Sequence, residues 1–220
     1  MEEDQGGTTY RMTERRLDRD FPALAGLRAY WEALRQGREV PARTEIDPRG
    51  IETALAHTFM LERIAPGNAR FRLAGRHLVD VLGMEVRGMP LASFFLPNAR
   101  DRLSALLEDV FRAPAIADLT MSADCGLGRP DATARLVLLP LRGDDGQIDR
   151  ALGGFAVNGA IGRTPRRFDI AAVHRTPLSA RRPMGLSHVA PVGFAEPAVR
   201  FDLPLRPRNR GHLRLVKSDG

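Results

Sequence analysis

Few residues of this chain combine a reactive side chain with neighbours that would put it to use. The single cysteine, Cys125, stands apart from the histidines His57 and His77, and no set of His, Cys, Asp and Glu has zinc-site spacing. Cys125 falls at a strand end and reads as a partly buried, inert thiol. His57 reads as a hydrogen-bonding residue at a helix end, and His77 as a solvent-facing helix residue. Asp118 and Asp124 share the polar face of one strand; paired-carboxylate catalysis needs two acids converging on a cleft, which this spacing does not demand. Gly153-Gly154 is no phosphate loop, because no helix follows it, and marks instead a bulge or the close approach of another backbone. Arg72 and Arg135 lie inside predicted strands. Facing inward, each could hold a carboxylate ligand through a bidentate fork; facing outward they are ordinary solvated positions, which is the preferred reading. No catalytic residue, metal ligand or cofactor is assigned.

The elements that must position these residues follow from periodicity. Ala117, Leu119, Met121 and Ala123 alternate with Asp118, Thr120, Ser122 and Asp124, giving a strand with one buried and one wet face. Arg135–Leu141 is apolar at consecutive positions and predicts a strand covered on both faces, although Pro140 lacks the N–H that a central strand donates, which implies a bulge or an unpaired position there. Gly143-Asp-Asp-Gly146 closes a hairpin onto Ala151–Val157. Upstream, Phe59–Ile64 and Arg70–Ala74 flank the turn Ala65-Pro-Gly-Asn68. The long helix 98–112, with Asn98 as its N-cap, carries the stripe Leu103, Leu106, Leu107, Val110 and Phe111. A first helix over 21–37 carries Leu24, Leu27, Trp31 and Leu34, and Asp47-Pro48 starts a second, short one.

The formal charge of +6 is uneven: residues 161–220 hold 12 of the 33 basic residues and only 4 of the 27 acidic ones, with 7 of the 16 prolines. That segment reads as a mostly irregular basic tail, and residues 1–20 as a mobile leader. The domain boundaries expected are a leader over 1–20, N-terminal helices over 21–57, a core over 58–160 and the tail over 161–220. One cysteine suits a reducing compartment, no secretory signal is visible, and no apolar run approaches membrane-span length, so a cytoplasmic location is expected.

Several short pieces occur in a telling order: Tyr30-Trp31 with Leu34-Arg35; Pro41-Ala-Arg43 with Ile46-Asp-Pro48; His57-Thr-Phe-Met-Leu61; Arg70-Phe-Arg-Leu-Ala-Gly75; Gly83 with Arg87-Gly88; Leu138-Leu-Pro-Leu141; and Gly153-Gly154. In this order, over about residues 27 to 158, they resemble the bacterial stand-alone PAS domain family with an N-terminal Tyr-Trp helix. The resemblance implies an α+β fold: a PAS-like five-stranded antiparallel sheet with helices on one face, plus an N-terminal helix and an irregular basic tail. It carries over no catalytic residues. A flavin-photosensor member would place its cysteine among the short helices, and residues 76–96 hold none; a haem-sensing member would take its histidine from the long helix, and residues 98–112 hold none.

The function implied is that of a sensory or protein-interaction module that binds a small ligand or a partner protein and signals in trans to an unidentified signalling protein. A ligand space between sheet and helices would be lined by Leu73, Phe94, Leu106, Val110, Met121, Leu138 and Phe155, all of which also read as plain core. The stripe Leu24, Leu27, Trp31 and Leu34 is expected to cover the other sheet face, within its own chain or across a homodimer, the dimer being favoured by the resemblance. The competing reading is a nucleic-acid or acidic-partner binder working through Arg166-Arg167, Arg181-Arg182 and Arg206-Pro-Arg208-Asn-Arg210; it ranks second because the tail lacks interleaved stacking aromatics.

Overall fold

The structure, a computed structural model, describes residues 19–178. The expected leader up to residue 18 and the basic segment beyond residue 178, with its arginines at 181–182 and 206–210, lie outside these residues.

Helix α1 (Pro22–Arg35) starts on a proline and ends where Gln36 and Gly37 take left-handed backbone angles. A 3-10 turn (Arg43–Glu45) and a 3-10 helix (Pro48–His57) follow. Asp47 caps the latter by accepting from the Arg49 N–H at 2.9 Å. Then come β1 (Thr58–Ala65), β2 (Asn68–Ala74), α2 (Arg76–Leu82), the helical turns Leu91–Phe94 and Pro97–Ala99, and α3 (Arg100–Arg112). Four further strands complete the chain: β3 (Ala115–Ala123), β4 (Thr133–Leu141), β5 (Arg150–Asn158) and β6 (Phe168–Pro177). Helix α3 begins later than expected. Its cap is Ala99, and Asn98 instead donates from Nδ2 to Asp169 Oδ2 of β6 at 3.0 Å.

The sheet is antiparallel with strand order β2-β1-β5-β4-β3-β6. It therefore has six strands where five were expected. The sixth extends the fold past residue 160 into what had been read as tail: β6 runs along β3 from Ala115↔Pro177 to Ala123↔Phe168. Its signal was weak because Phe168 and Ile170 alternate inward and a register shift at Thr120/Met121 then breaks the period. An edge strand paired on one side also needs little apolar content. With β6 in place β3 is an interior strand, and its polar face is only partly wet: Asp118 is buried, Thr120 is half-buried and Ser122 is exposed.

Two apolar layers sandwich the sheet. On the inner face α2, α3 and the helical turns pack onto Phe59, Leu136, Leu138, Phe155 and their neighbours. On the outer face α1 lays Leu24, Leu27 and Trp31 over Val137, Leu139, Leu141 and Leu152. β4 is covered on both faces, as its unbroken apolar run requires. Pro140 fits because β3–β4 pairing ends at Ala117↔Leu138. Beyond that point its carbonyl accepts instead from Trp31 Nε1 at 3.1 Å. The two glycines of β5 allow close approach on opposite faces. A Cβ on Gly153 would lie 2.1 Å from the Phe59 ring, and one on Gly154 would lie 2.9 Å from Leu27.

Candidate functional site

Six of the seven residues that the sequence reading placed around a ligand lie in the inner core. Phe94, Leu106, Val110, Met121, Leu138 and Phe155 are all buried core. A continuous chain of rings crosses this layer: Phe59 to Phe71 at 5.3 Å, Phe71 to Phe94 at 5.4 Å, Phe94 to Phe155 at 5.3 Å and Phe155 to Phe168 at 5.2 Å between centroids. Three of the four contacts are edge-to-face, the geometry that aromatic quadrupoles favour. None of these six residues lines either of the cavities described below.

The seventh expected pocket residue, Leu73, sits elsewhere. Strict alternation from Phe71 would aim it inward. The β1–β2 register instead jumps from Leu61↔Phe71 to Met60↔Leu73, leaving Arg72 as the extra residue of a bulge. One inserted residue moves the following side chain to the opposite face. Leu73 consequently emerges beside Met60 on the outer face and is 60% exposed.

There it borders an open groove of about 480 Å³, within the range of roughly 300–1,000 Å³ typical of small-molecule sites. Phe59, Met60 and Leu152 supply the sheet side of the groove. Pro48, Ile51 and Leu55 of the 3-10 helix, with Ile46 just before it, supply the opposite wall. Leu55 is 46% exposed, so this wall also offers apolar surface to solvent. Gly75 closes one end; a Cβ there would lie 2.3 Å from the Leu55 and Ala56 carbonyl oxygens, so only glycine lets the wall come this near the sheet.

A second, smaller cavity of about 270 Å³ shares Arg43, Met60 and Leu73 with the groove and adds Arg72, Arg87, Arg150 and Asp144. The apolar groove thus opens onto arginines. Arg72, read from sequence as a solvated strand residue or a carboxylate partner, is half-exposed and lies 3.6 Å from Glu62. Glu62 is committed to other partners: Arg70 donates from Nε at 2.8 Å and Arg150 approaches to 2.9 Å. The Arg70 hydrogen bond, helped by the neighbouring arginine charges, holds the Glu62 carboxyl below the usual carboxylate range. Arg43 is 3.7 Å from Asp144, both exposed. Arg87 has no ion pair among the described residues.

The groove wall is tied to α1. The Tyr30 hydroxyl accepts from the Asp47 N–H at 2.8 Å and lies 3.2 Å from the Asp47 carbonyl oxygen, while its ring packs on Gly50, where a Cβ would come within 2.3 Å. Neighbouring Trp31 reaches the opposite way, to Pro140 of β4. Tyr30 and Trp31 therefore connect groove wall, helix and sheet. Leu24, Leu27 and Trp31 of the expected interface stripe are buried within their own chain, and Leu34 is half-buried at its margin.

Other residues singled out from the sequence have structural placements. Arg135 is not a solvated outer-face residue: it is 3% exposed and forks onto Asp118, Nε to Oδ1 at 2.8 Å and Nη2 to Oδ2 at 2.5 Å, with Arg28 of α1 at 3.8 Å from the same carboxylate. The pair bridges β3 and β4, the strand that α1 was expected to cover, and Arg28 of α1 stands beside it. His77 is also not solvent-facing. Its ring lies 4.5 Å from that of His57, and its Nε2 accepts from the Val157 N–H at 3.2 Å. Burial, then the neighbouring His57, push its pKa down to about 4. His57 bonds the Phe155 carbonyl at 3.3 Å, in line with its reading as a helix-end hydrogen-bonder. Cys125 is exposed rather than partly buried.

Arg166, counted from sequence among the tail arginines, is 1% exposed. It donates to Asp124 Oδ1 at 3.1 Å and to the carbonyls of Asp124 and Pro130 at 2.8 Å each, clamping the β3–β4 turn to the segment entering β6. It is therefore no part of a nucleic-acid surface. Nothing in residue type or spacing distinguishes it from Arg167 beside it, which is exposed; the carbonyls that gather around it come from three separate chain segments. Among the described residues no group of three His, Cys, Asp or Glu side chains gathers as a metal site, and no helix is long and apolar enough to cross a membrane.

Comparison with known proteins rests on three findings. No curated protein matches the chain. Among the solved structures that resemble it are two that each cover 50% of its length. One is the light-state LOV domain of the blue-light photoreceptor Aureochrome1 (13% identity, 88% of that chain, TM-score 0.35). The other is a light-oxygen-voltage domain whose mechanism was addressed with a flavin analogue (16% identity, 83% of that chain, TM-score 0.35). Likenesses of this size carry no ligand across. The third finding is a family model, described as PAS domain, that matches residues 19–156 and so takes in α1 and every strand except β6 and the end of β5. With well over half its length accounted for by that model, the chain belongs to the PAS domain family and is, in the general sense, a sensory module.

Proposed function

We propose that this PAS domain senses by binding a small molecule in the outer-face groove and signals in trans through α1. The observation that carries the reading is the groove itself. It offers exposed apolar side chains on both walls, and one wall hangs on Tyr30 of the helix that covers the sheet. A ligand that wedges between Met60 and Ile51 displaces the Pro48–His57 wall and, through Tyr30, biases the seat of α1. A partner protein reads the outcome, because a ligand shifts an equilibrium by its differential affinity for the two states.

The test is hydrogen–deuterium exchange of the full chain with and without 1-anilinonaphthalene-8-sulfonate, an apolar reporter. Occupancy should slow exchange at Ile51–Met60 and change it in Pro22–Arg35, leaving α3 unaltered. Protection confined to the inner-face helices would overturn the outer-groove assignment. Protection at the groove with no response in α1 would overturn the proposed route of output.

A further inference from the structure

Of the regions outside the core, the groove and its arginine mouth hold the most unexplained surface. The polar cavity by Arg63 and Asp149 is larger, about 640 Å³. Although Arg63 Nε and Asp149 Oδ1 have no hydrogen-bond partner, that oxygen lies against Gly143, where a Cβ would sit 2.1 Å from it, so it is packed rather than presented. The His57–His77 pair is engaged with the β5 backbone.

We propose that the groove's ligand is a small amphipathic anion, an acyl carboxylate whose chain lies on Met60, Ile51 and Leu73 and whose head group meets Arg72 and Arg87, with Arg43 alongside. This rests on the groove being the binding site, as set out above. Two independent features specify the two ends of the ligand. The body must be apolar because Leu55 and Leu73 expose hydrocarbon that a soluble domain ordinarily buries. The head must be anionic because the adjoining cavity is lined by four arginines, Arg43, Arg72, Arg87 and Arg150, against one carboxylate, Asp144. Arg150 is spent on Glu62 and Asp149, both within 2.9 Å. The contacts of Arg43 and Arg72, at 3.7 and 3.6 Å, are long and exposed and so hold their guanidinium groups weakly. A carboxylate can take a two-point fork from either of these or from Arg87. The basic C-terminal segment is a poor occupant: residues 179–220 carry eight basic residues against three acidic ones, the same sign as the mouth.

Calorimetric titration of the full chain with octanoate, octan-1-ol and octyltrimethylammonium separates head from body. Octanoate should bind about tenfold more tightly than octanol, the scale of one charge-assisted fork, with the cation weakest. The octanoate preference should shrink as salt rises. In an Arg72→Gln/Arg87→Gln variant octanoate should fall to the octanol value while octanol is unchanged. In a Leu55→Gln/Leu73→Gln variant both should weaken. All four positions are solvent-exposed, and unchanged melting temperatures verify that the variants fold. Equal binding of octanoate and octanol, both lost in the leucine variant, leaves the groove standing and overturns the anion. Binding of neither, or binding that ignores the leucine variant, overturns the groove reading itself.

Discussion

The two faces of this sheet are finished in opposite ways. On the inner face five phenylalanines from β1, β2, a helical turn, β5 and β6 meet ring to ring. On the outer face α1 covers β4 and β5 but stops short of β1 and β2, where the Pro48–His57 segment arches over a groove instead of filling it. The inner face resembles the interior of any close-packed protein, in which a ligand would have to displace side chains. The outer face brings exposed apolar surface, arginine side chains and a wall of 3-10 helix together. The open apolar surface thus lies on the face opposite α2 and α3.

The sharpest way to break this contrast is to cut into each face. Phe155→Ala removes a ring that touches Phe94, Phe168 and His77, and should cost about 4 kcal/mol, the range for deleting a buried aromatic. A loss under about 1 kcal/mol in chemical denaturation would mean that the inner layer is loosely filled after all. On the outer face the largest effect belongs to the buried ion pair. Arg135→Met strips Asp118 of its fork and leaves it Arg28 at 3.8 Å, so about 3 kcal/mol should be lost, or roughly 6–12 °C in melting temperature. A neutral result would show that Asp118 reaches water.

A smaller effect is set by pH. His77 accepts the Val157 N–H only while neutral, and its pKa falls from 6.5 in the unfolded chain to about 4 in the fold. A folded pKa below the unfolded one means the unfolded chain binds protons first. The stabilisation is therefore complete above pH 6.5 and drains away as pH falls toward 4. Because the ring is only partly enclosed, about 1–2 kcal/mol is expected over that window. His77→Gln, which can accept the same bond without titrating, should flatten this part of the stability profile; parallel profiles for the two proteins would refute it. The smallest effect is on Leu73→Gln, which should change stability by less than about 0.5 kcal/mol because the side chain is already exposed. A loss comparable with that of Phe155→Ala would place Leu73 in the core.

Much of the fold was legible from residue patterns because those patterns are local. The alternation of β3, the two-sided apolar run of β4, the turn at Pro66-Gly67 and the stripe of α1 each declare themselves within ten or so residues. Proline at 140 and glycines at 153 and 154 even announced where the sheet would be unusual. What lay hidden depended on partners distant in the chain. β6 became a strand because β3 offered it an edge, and Asp118 and Arg135, read as surface positions, became a buried pair because they fork onto one another across β3 and β4 beside Arg28 of α1. Arg166 and Arg167 are the same residue type side by side; only the convergence of carbonyls from Asp124, Pro130 and Ile161 makes the first a clamp. The single-residue bulge at Arg72 sent Leu73 to the opposite face from Phe155, with which alternation had grouped it. Periodicity fixes which residues share a face only while the register is unbroken, and register is set by the neighbouring strand. The chain's own residue order therefore specified its helices and every strand but β6, and tertiary pairing decided β6 and which side of the sheet Leu73 would serve.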